Sequence, residues 1–177
     1  MTRIDLVDVL RSTVSAMYGD LVTRRTGEAV RGGVEALLRA NGEDDVAILD
    51  FGTVRLLDMS CADEIIGKLL LSQGPARHVM LVGVHAGHED ALLPVLERHR
   101  LAVAAEDRSG TLKILGRLPQ TAHRIFQTLA DAGPADSGQV AERVSVSPEE
   151  ARAALDMLCK QGVVLERDGH YQALRCA

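Results

Sequence analysis

One short segment of the chain places several carboxylates beside two side chains that could act as nucleophiles. The carboxylates are those of Asp50, Asp58, Asp63 and Glu64. The hydroxyl of Ser60 and the thiol of Cys61 lie among them, and such groups together serve acid–base and nucleophilic catalysis. Acids at strand ends and helix starts more often cap helices or face partners. Because no nucleophile elbow, phosphate-binding glycine loop or paired His/Cys arrangement is present, we predict no enzymatic activity and a small, buried Cys61.

A second candidate group follows an apolar run further along the chain. His85 and His88 stand three residues apart, next to Glu89 and Asp90. Imidazoles with carboxylates can hold a divalent metal, and α/β sheets often bind ligands at this position. The alternative is a loop whose acids lie at a helix N-terminus, where the helix dipole favours them. With no third ligand identifiable, His85 and His88 are weak metal candidates, and the sequence predicts no metal and no cofactor.

Alternating strands and helices must position both groups. Apolar runs predict strands at residues 4–10, 46–51, 78–84, 101–105 and 111–115. Apolar spacings of three and four predict helices at residues 21–40, 62–71 and 89–100. The first two helices should stop at Gly42 and Gly74, and Gly32–Gly33 indicates close packing of the first helix on a sheet. The alternation predicts an α/β fold with a mixed, mainly parallel sheet and covering helices.

After Gly116 the pattern changes. Helices are predicted at residues 122–132, 137–144 and 148–161, and Ser147 is a sound N-cap for the last of them. Asp168-Gly169 is a strong hairpin signal. Three helices followed by a hairpin resemble a winged helix-turn-helix, a scaffold that serves both DNA and protein partners. We therefore predict a domain over residues 1–116 and a small winged-helix domain over residues 117–177.

Composition excludes several classes of function. Aromatic residues make up 2% of the 177 residues, which leaves few rings for stacking on single-stranded nucleic acid or sugars. The net charge of −5 gives no overall attraction to phosphate backbones. The cysteines are Cys61, Cys159 and Cys176, an odd number without metal-like spacing, which is typical of reduced thiols. With no signal peptide and no membrane-length apolar stretch evident, we predict a cytoplasmic protein that does not bind membranes.

The segment from Asp50 resembles the core of the STAS fold, the domain of anti-sigma-factor antagonists. An apolar strand ends in Asp50, a short glycine-containing turn leads to Asp58, and small residues at 60–62 open a helix. The chain is also similar to a divergent STAS-like branch through its Thr23-Arg24 pair and its Ala62-Asp63-Glu64 triplet. The resemblance covers roughly residues 1–116. It implies a regulator of bacterial transcription that binds a protein partner.

The resemblance also implies a site and a kind of partner. The partner would be an anti-sigma factor or a histidine-kinase-like ATPase, contacted through Asp58, Met59, Ser60, Asp63 and Glu64. In the better-known relatives a serine directly after the second acid is phosphorylated, but Met59 stands there in this chain. Ser60 is the nearest hydroxyl and the candidate phosphoacceptor, and its alternative role is that of a helix N-cap.

The charge of the predicted winged-helix domain disfavours DNA as its partner. Residues 117–177 carry seven basic and eight acidic side chains. The predicted recognition helix starts with Glu149 and Glu150, which would repel phosphates. Arg152, Lys160 and Arg167 could still contact DNA at one edge, and dimerisation could change the balance. The alternative to a partner-binding regulator is thus a DNA-binding transcription factor whose STAS-like part senses a ligand or forms a homodimer.

Overall fold

A computed structural model describes residues 1–17, 19–41, 45–73 and 78–176 of the chain. The fold is mixed α/β and is built on a five-stranded sheet in the order β1-β2-β3-β4-β5. The strands are β1 Thr2–Asp5, β2 Val46–Asp50, β3 His78–Val84, β4 Ala102–Asp107 and β5 Leu112–Gly116. The first four are parallel, and β5 pairs antiparallel with β4. The predicted mainly parallel sheet is confirmed.

One face of this sheet carries the helices that connect its strands. They are α1 Leu6–Thr13, α2 Arg24–Ala40, α3 Met59–Ala62, α4 Lys68–Gln73 and α5 Ala86–His99. A π-helical segment, Asp63–Gly67, joins α3 to α4. Because spatial order follows chain order, right-handed crossovers place the connecting helices on the same face. They share one buried cluster with alternate strand residues such as Leu49, Leu81 and Val103.

The predicted strand over residues 4–10 is wrong beyond Asp5. The Asp5 carboxylate accepts hydrogen bonds from the backbone N–H groups of Val7 and Asp8, at 2.8 and 3.1 Å, and so caps a helix. The buried residues of α1 are Leu6, Val7, Val9 and Leu10. That spacing fits one face of a helix. The chain is therefore helical from Leu6, and the strand ends at Asp5. The predicted helix stops at Gly42 and Gly74 lie outside the described residues.

The C-terminal elements follow the predicted order of three helices and a hairpin. They are α6 Gln120–Ala132, α7 Ser137–Val144, α8 Pro148–Lys160, β6 Val164–Arg167 and β7 His170–Ala173. Ser147 caps α8 by accepting a hydrogen bond from the Glu150 N–H at 3.1 Å. The hairpin turns at Asp168 and Gly169, whose φ angles of 52° and 75° suit a type I′ turn.

These C-terminal elements cover the second face of the sheet. A second buried cluster joins strand residues such as Ile48, Met80 and Ala104 to Phe126 and Leu158. Polar contacts span the same junction. The Gln161 side chain accepts a hydrogen bond from the Ala102 N–H at 2.8 Å, and the His78 ring lies 3.0 Å from the Gly162 carbonyl oxygen. The second core therefore extends across Gly116, where the sequence pattern changes.

None of the helices in the described parts of the chain is both long enough and apolar enough to cross a bilayer.

Candidate protein-binding site

The N-termini of α2 and α3 are tied together by Asp58. One oxygen of its carboxylate accepts a hydrogen bond from the Thr23 N–H at 2.8 Å. The other accepts from the Cys61 N–H at 2.7 Å, which caps α3, and from the Ser60 hydroxyl at 2.8 Å. Burial alone would raise the pKa of Asp58, but hydrogen bonds from Cys61 and Thr23 outweigh it and lower the pKa. Asp58 is therefore an ionised structural clamp between two helix starts.

Thr23 adopts a backbone conformation that few residues other than glycine take. Its φ and ψ are 72° and 144°, and a non-glycine residue in so sparsely populated a region costs about 1–3 kcal/mol. Its N–H is bound by Asp58, and its carbonyl oxygen accepts a hydrogen bond from the Cys61 thiol at 3.0 Å. A parallel bridge between Leu21 and Leu57 supports the same turn. Such strain, held in place by several contacts, is typical of functional sites.

The Glu64 carboxylate is buried in a group of cations below this turn. The residue is 2% exposed. One of its oxygens lies 2.7 Å from Arg24 Nη1 and 2.6 Å from Lys68 Nζ. The other lies 3.7 Å from Arg31 Nε. Burial raises the pKa of Glu64, but the hydrogen bonds from Lys68 and Arg24 outweigh it and lower the pKa below its ordinary value.

Asp63 is held in the same way. It is 7% exposed, and its carboxylate lies 2.8 Å from His99 Nε2 and 3.3 Å from Arg24 Nη1. Burial raises its pKa, and the hydrogen bonds from His99 and Arg24 lower it further than burial raises it. Asp63 and Glu64 begin the π-helical segment, which brings both carboxylates to Arg24 on α2. π-Helical turns are rare and are often found at functional sites.

The two sequence motifs of the STAS-like resemblance therefore meet, and the pairing is internal. Arg24 of the Thr23-Arg24 pair binds the two acids of the Ala62-Asp63-Glu64 triplet. Of the five residues predicted to contact a partner, Asp63 and Glu64 lie below the surface. Asp58 and Ser60 are half-buried, and Met59 is 44% exposed.

The accessible part of the site is an apolar patch with a basic rim. Leu56 is 59% exposed and Met59 is 44% exposed. The side chains of Arg24 and Arg55 are 55% and 73% exposed, and Arg55 lies 3.2 Å from the Asp20 carboxylate. We call this surface the α2–α3 patch, and it comprises Thr23, Arg24, Arg25, Arg55, Leu56 and Met59. Sequence reasoning missed Leu56, Arg25 and Arg55. The sequence did carry one signal of this surface, namely the bulky apolar Leu56 directly after Arg55 in a loop.

Cys61 is confirmed as a small buried residue. It is fully buried, and burial raises the pKa of its thiol to about 12. Its Sγ donates to the Thr23 carbonyl oxygen, so the thiol serves the turn. A thiol that is protonated at neutral pH and shielded from solvent is a poor nucleophile.

His85 and His88 form the start of α5. Their rings stack with centroids 3.5 Å apart, and His88 is fully buried. His88 Nε2 lies 3.1 Å from the Val54 carbonyl oxygen and must donate to it, while Nδ1 accepts from the His85 N–H at 3.4 Å. Both ring nitrogens of His88 are thus engaged. Within residues 1–17, 19–41, 45–73 and 78–176, no group of three or more histidine, cysteine or acidic residues is placed to hold a metal ion.

The buried His88 predicts a specific loss of stability in mild acid. Burial lowers its pKa to about 4, whereas an exposed histidine titrates near 6.5. The unfolded chain therefore binds the proton more tightly, and stability falls as the pH drops from about 6.5 to 4. The expected loss is about 3 kcal/mol, at 1.36 kcal/mol for each pKa unit.

Urea unfolding of the wild type and of His88→Gln between pH 7 and 4.5 measures this effect. The variant should show a much shallower pH slope, whatever its stability at pH 7. Carboxylates with lowered pKa, such as Asp63 and Glu64, lose their contribution only at lower pH, as the pH falls through their folded-state values. Equal slopes for both proteins would show that His88 does not carry the effect.

The three basic residues proposed for DNA contact are all exposed. Arg152 and Lys160 lie on α8, and Arg167 lies on the hairpin, where its Nη2 is 3.9 Å from the Asp45 carboxylate. Glu149 is exposed at the start of α8, and Glu150 accepts a hydrogen bond from the Thr121 hydroxyl at 2.8 Å. The N-terminus of α8 thus presents negative charge, and DNA binding stays a prediction.

Each of the acids that suggested catalysis is thus engaged in the fold. Asp58 caps α3, Asp63 and Glu64 are buried, and Asp50 pairs with Arg3 at 2.6 Å and accepts a hydrogen bond from the Gly52 N–H at 2.8 Å. Comparison with known proteins finds no family model that matches the chain and no curated protein that matches it. What the site can do follows from its own geometry. That geometry offers an apolar contact surface at the α2–α3 patch, where the partly exposed carboxylate of Asp20 is paired with Arg55 at 3.2 Å.

Proposed function

We propose that the chain is a non-enzymatic regulator that acts in the cytoplasm by binding another protein. Its N-terminal part is STAS-like, and its partner is an anti-sigma factor or a histidine-kinase-like ATPase in transcription control. The observation that carries the proposal is that the carboxylates of Asp63 and Glu64 are paired internally with Arg24 and Lys68, and that Asp63 also lies 2.8 Å from His99 Nε2. It leaves the α2–α3 patch as an apolar surface with a cationic rim.

The chemistry of the α2–α3 patch suits a protein partner. Methionine, arginine and large apolar side chains are enriched at interfaces, and Met59 can adapt its shape to a partner. Arg24 is paired with Asp63 and Glu64, and Arg55 is paired with Asp20. Among the described residues, the exposed Arg25 therefore gives the rim its uncompensated positive charge, in a chain whose net charge is −5. Complementary charge speeds association and selects partners, so the partner surface should be acidic around an apolar centre.

The same contacts favour binding without a phosphorylation switch at Ser60. The Ser60 hydroxyl donates to the Asp58 carboxylate at 2.8 Å, and the residue is half-buried. A phosphate on Ser60 would add about −1.5 to −2 charges next to that ionised carboxylate. The repulsion would break the clamp between α2 and α3. Met59, where the relatives carry their serine, instead contributes apolar contact area.

Two matched substitutions test the surface. Leu56→Glu places a charge in the α2–α3 patch, and Leu71→Glu places one at a similarly exposed position on α4, at 59% and 55% exposure. We expect Leu56→Glu to weaken binding of the purified partner at least tenfold, because it opposes apolar contact at the centre. Leu71→Glu should bind as the wild type does.

The partner is first identified by affinity capture with the wild-type chain, and its Kd is then measured with purified proteins. Raising the salt concentration should weaken binding by screening the arginine rim. If both variants bound the partner with equal affinity, the assignment of the α2–α3 patch as the binding surface would be wrong. Melting curves of both variants confirm that they are folded.

The C-terminal three helices and hairpin support assignment to the winged-helix type, an analogy of fold and not of function. Their acidic α8 N-terminus and their packing on the sheet favour a structural and protein-binding role over a DNA-reading one. A mobility-shift titration across salt separates these roles, since sequence-specific binding with a steep salt slope would establish the DNA-binding alternative.

A further inference from the structure

An open cavity lies between the sheet and the C-terminal hairpin. Its volume is about 490 Å³, within the range of small-molecule sites. Val46 of β2, Leu165 of β6 and Leu174 after β7 supply apolar walls. Arg167, Gln172 and Arg175 supply the polar groups. The cavity thus has walls from both sides of the junction, a common location for ligand sites.

The charge of this lining is uniform in sign. Two guanidinium groups and no carboxylate line the cavity, although the chain has a net charge of −5. Arg175 has no ion pair within the part of the chain that the structure describes. Arg167 pairs with Asp45 at 3.9 Å, and both side chains are 70% exposed, so the pair is weak. Both guanidinium groups are therefore available to an anion.

We propose that this cavity binds an amphipathic carboxylate, that is, a carboxylate on an apolar chain or ring. The guanidinium groups of Arg167 and Arg175 would bind the carboxylate, whose planar geometry matches their paired donors. The apolar body would lie against Val46, Leu165 and Leu174. The two kinds of group on one lining select against a free inorganic anion, which gains nothing from the apolar walls, and against a neutral lipid, which leaves the cations unpaired.

A neighbouring cavity helps fix where the carboxylate goes. It has a volume of about 370 Å³ and shares Arg175 and Cys176 with the first. Glu106 and Asp131 also line it, and their charge opposes an anion there. We therefore expect the ligand carboxylate to lie in the first cavity, which Arg167 lines, and not in this neighbouring one.

This site is separate from the proposed function. It lies on the face of the sheet opposite the helices that form the α2–α3 patch. Because its walls come from the sheet and from the hairpin, a bound ligand stabilises their packing by mass action. Binding of an amphipathic acid would then raise the stability of the packing between the sheet and the C-terminal hairpin.

Titration of the full chain with decanoate, below its micelle-forming concentration, tests the proposal. We expect saturable binding by calorimetry and a melting temperature that rises with decanoate concentration. Decanol should bind at least tenfold more weakly, and inorganic phosphate should have no effect. Arg167→Met with Arg175→Met should weaken decanoate binding at least tenfold, and Arg143→Met on α7, an exposed arginine outside the cavity, should not.

Three outcomes would overturn the proposal. Decanoate would show no saturable binding, decanol would bind as tightly as decanoate, or the Arg167/Arg175 double variant would bind decanoate as the wild type does. Because all three arginines are exposed, their substitution should leave the fold intact. Melting curves recorded without ligand check that each variant is folded. Leu56→Glu should bind decanoate normally, so failure of this site and failure of the partner surface are distinguishable.

Discussion

Truncation after Gly116 should yield a fragment without a cooperative unfolding transition. The fragment would expose the second face of the sheet, which comprises Val46, Ile48, Met80, Val82, Ala102, Ala104 and Ile114. Burial of a large aliphatic side chain is worth about 1.5–3 kcal/mol, so the five large residues of this face contribute on the order of 10 kcal/mol. Whole domains are stable by about 5–15 kcal/mol, and the loss is therefore comparable to the total.

Thermal unfolding followed by circular dichroism, with size-exclusion chromatography, measures this effect. We expect a broad or absent transition and self-association of residues 1–116, since an exposed apolar face of this size favours aggregation. Supplying residues 117–177 in trans should restore part of the transition. A monomeric fragment that melts sharply, within a few degrees of the full chain, would mean that the two regions are independent.

Gly27→Ala and Gly32→Ala should change stability in opposite directions, although both lie within α2. A Cβ at Gly27 would come within 2.8 Å of Glu64 Cβ and 2.9 Å of Cys61 Cα. The second contact is with backbone, so α2 would have to move away from α3 and the acids that bind Arg24. Overpacking of this kind costs about 1–3 kcal/mol. A Cβ at Gly32 meets nothing within 4 Å, and the better helix former there gains about 0.5–1 kcal/mol.

Chemical denaturation of the two variants gives both signs in one experiment. Gly27→Ala should lower the free energy of unfolding and Gly32→Ala should raise it. The partner-binding assay adds a second readout, because displacement of α2 also disturbs the α2–α3 patch. Two stabilised variants would contradict the close approach of α2 to α3.

Sequence reasoning reached the sheet and the C-terminal elements because their signals are local. Residues 46–51 and 78–84 are apolar enough to specify buried strands, and Asp168-Gly169 fixes its turn through its own backbone preference. The strand predicted over residues 4–10 failed because Asp5 also suits a helix cap, and the competition is settled by tertiary packing of Leu6 and Leu10.

The interior of the candidate site was beyond prediction for a different reason. The sequence shows that Arg24, Asp63 and Glu64 exist, but their pairing spans about forty positions and depends on a π-helical turn that has no sequence signature. The same limit applies to the glycines. The pattern pointed to Gly32–Gly33 as a contact with the sheet, whereas Gly33 packs on Val9 and Thr13 of α1, and Gly27 makes the closest approach to α3.

The order of strands in the sheet has a consequence for synthesis of the protein. On the ribosome, β1 to β5 and their connecting helices emerge before the elements that cover the second face of the sheet. That face stays open until the chain has been translated as far as Leu174, which lies in the second core. At translation speeds of about 5–20 residues per second, that interval lasts several seconds. During it the nascent chain exposes the apolar residues of that face, which makes it a candidate client for chaperones that bind at the ribosomal exit tunnel.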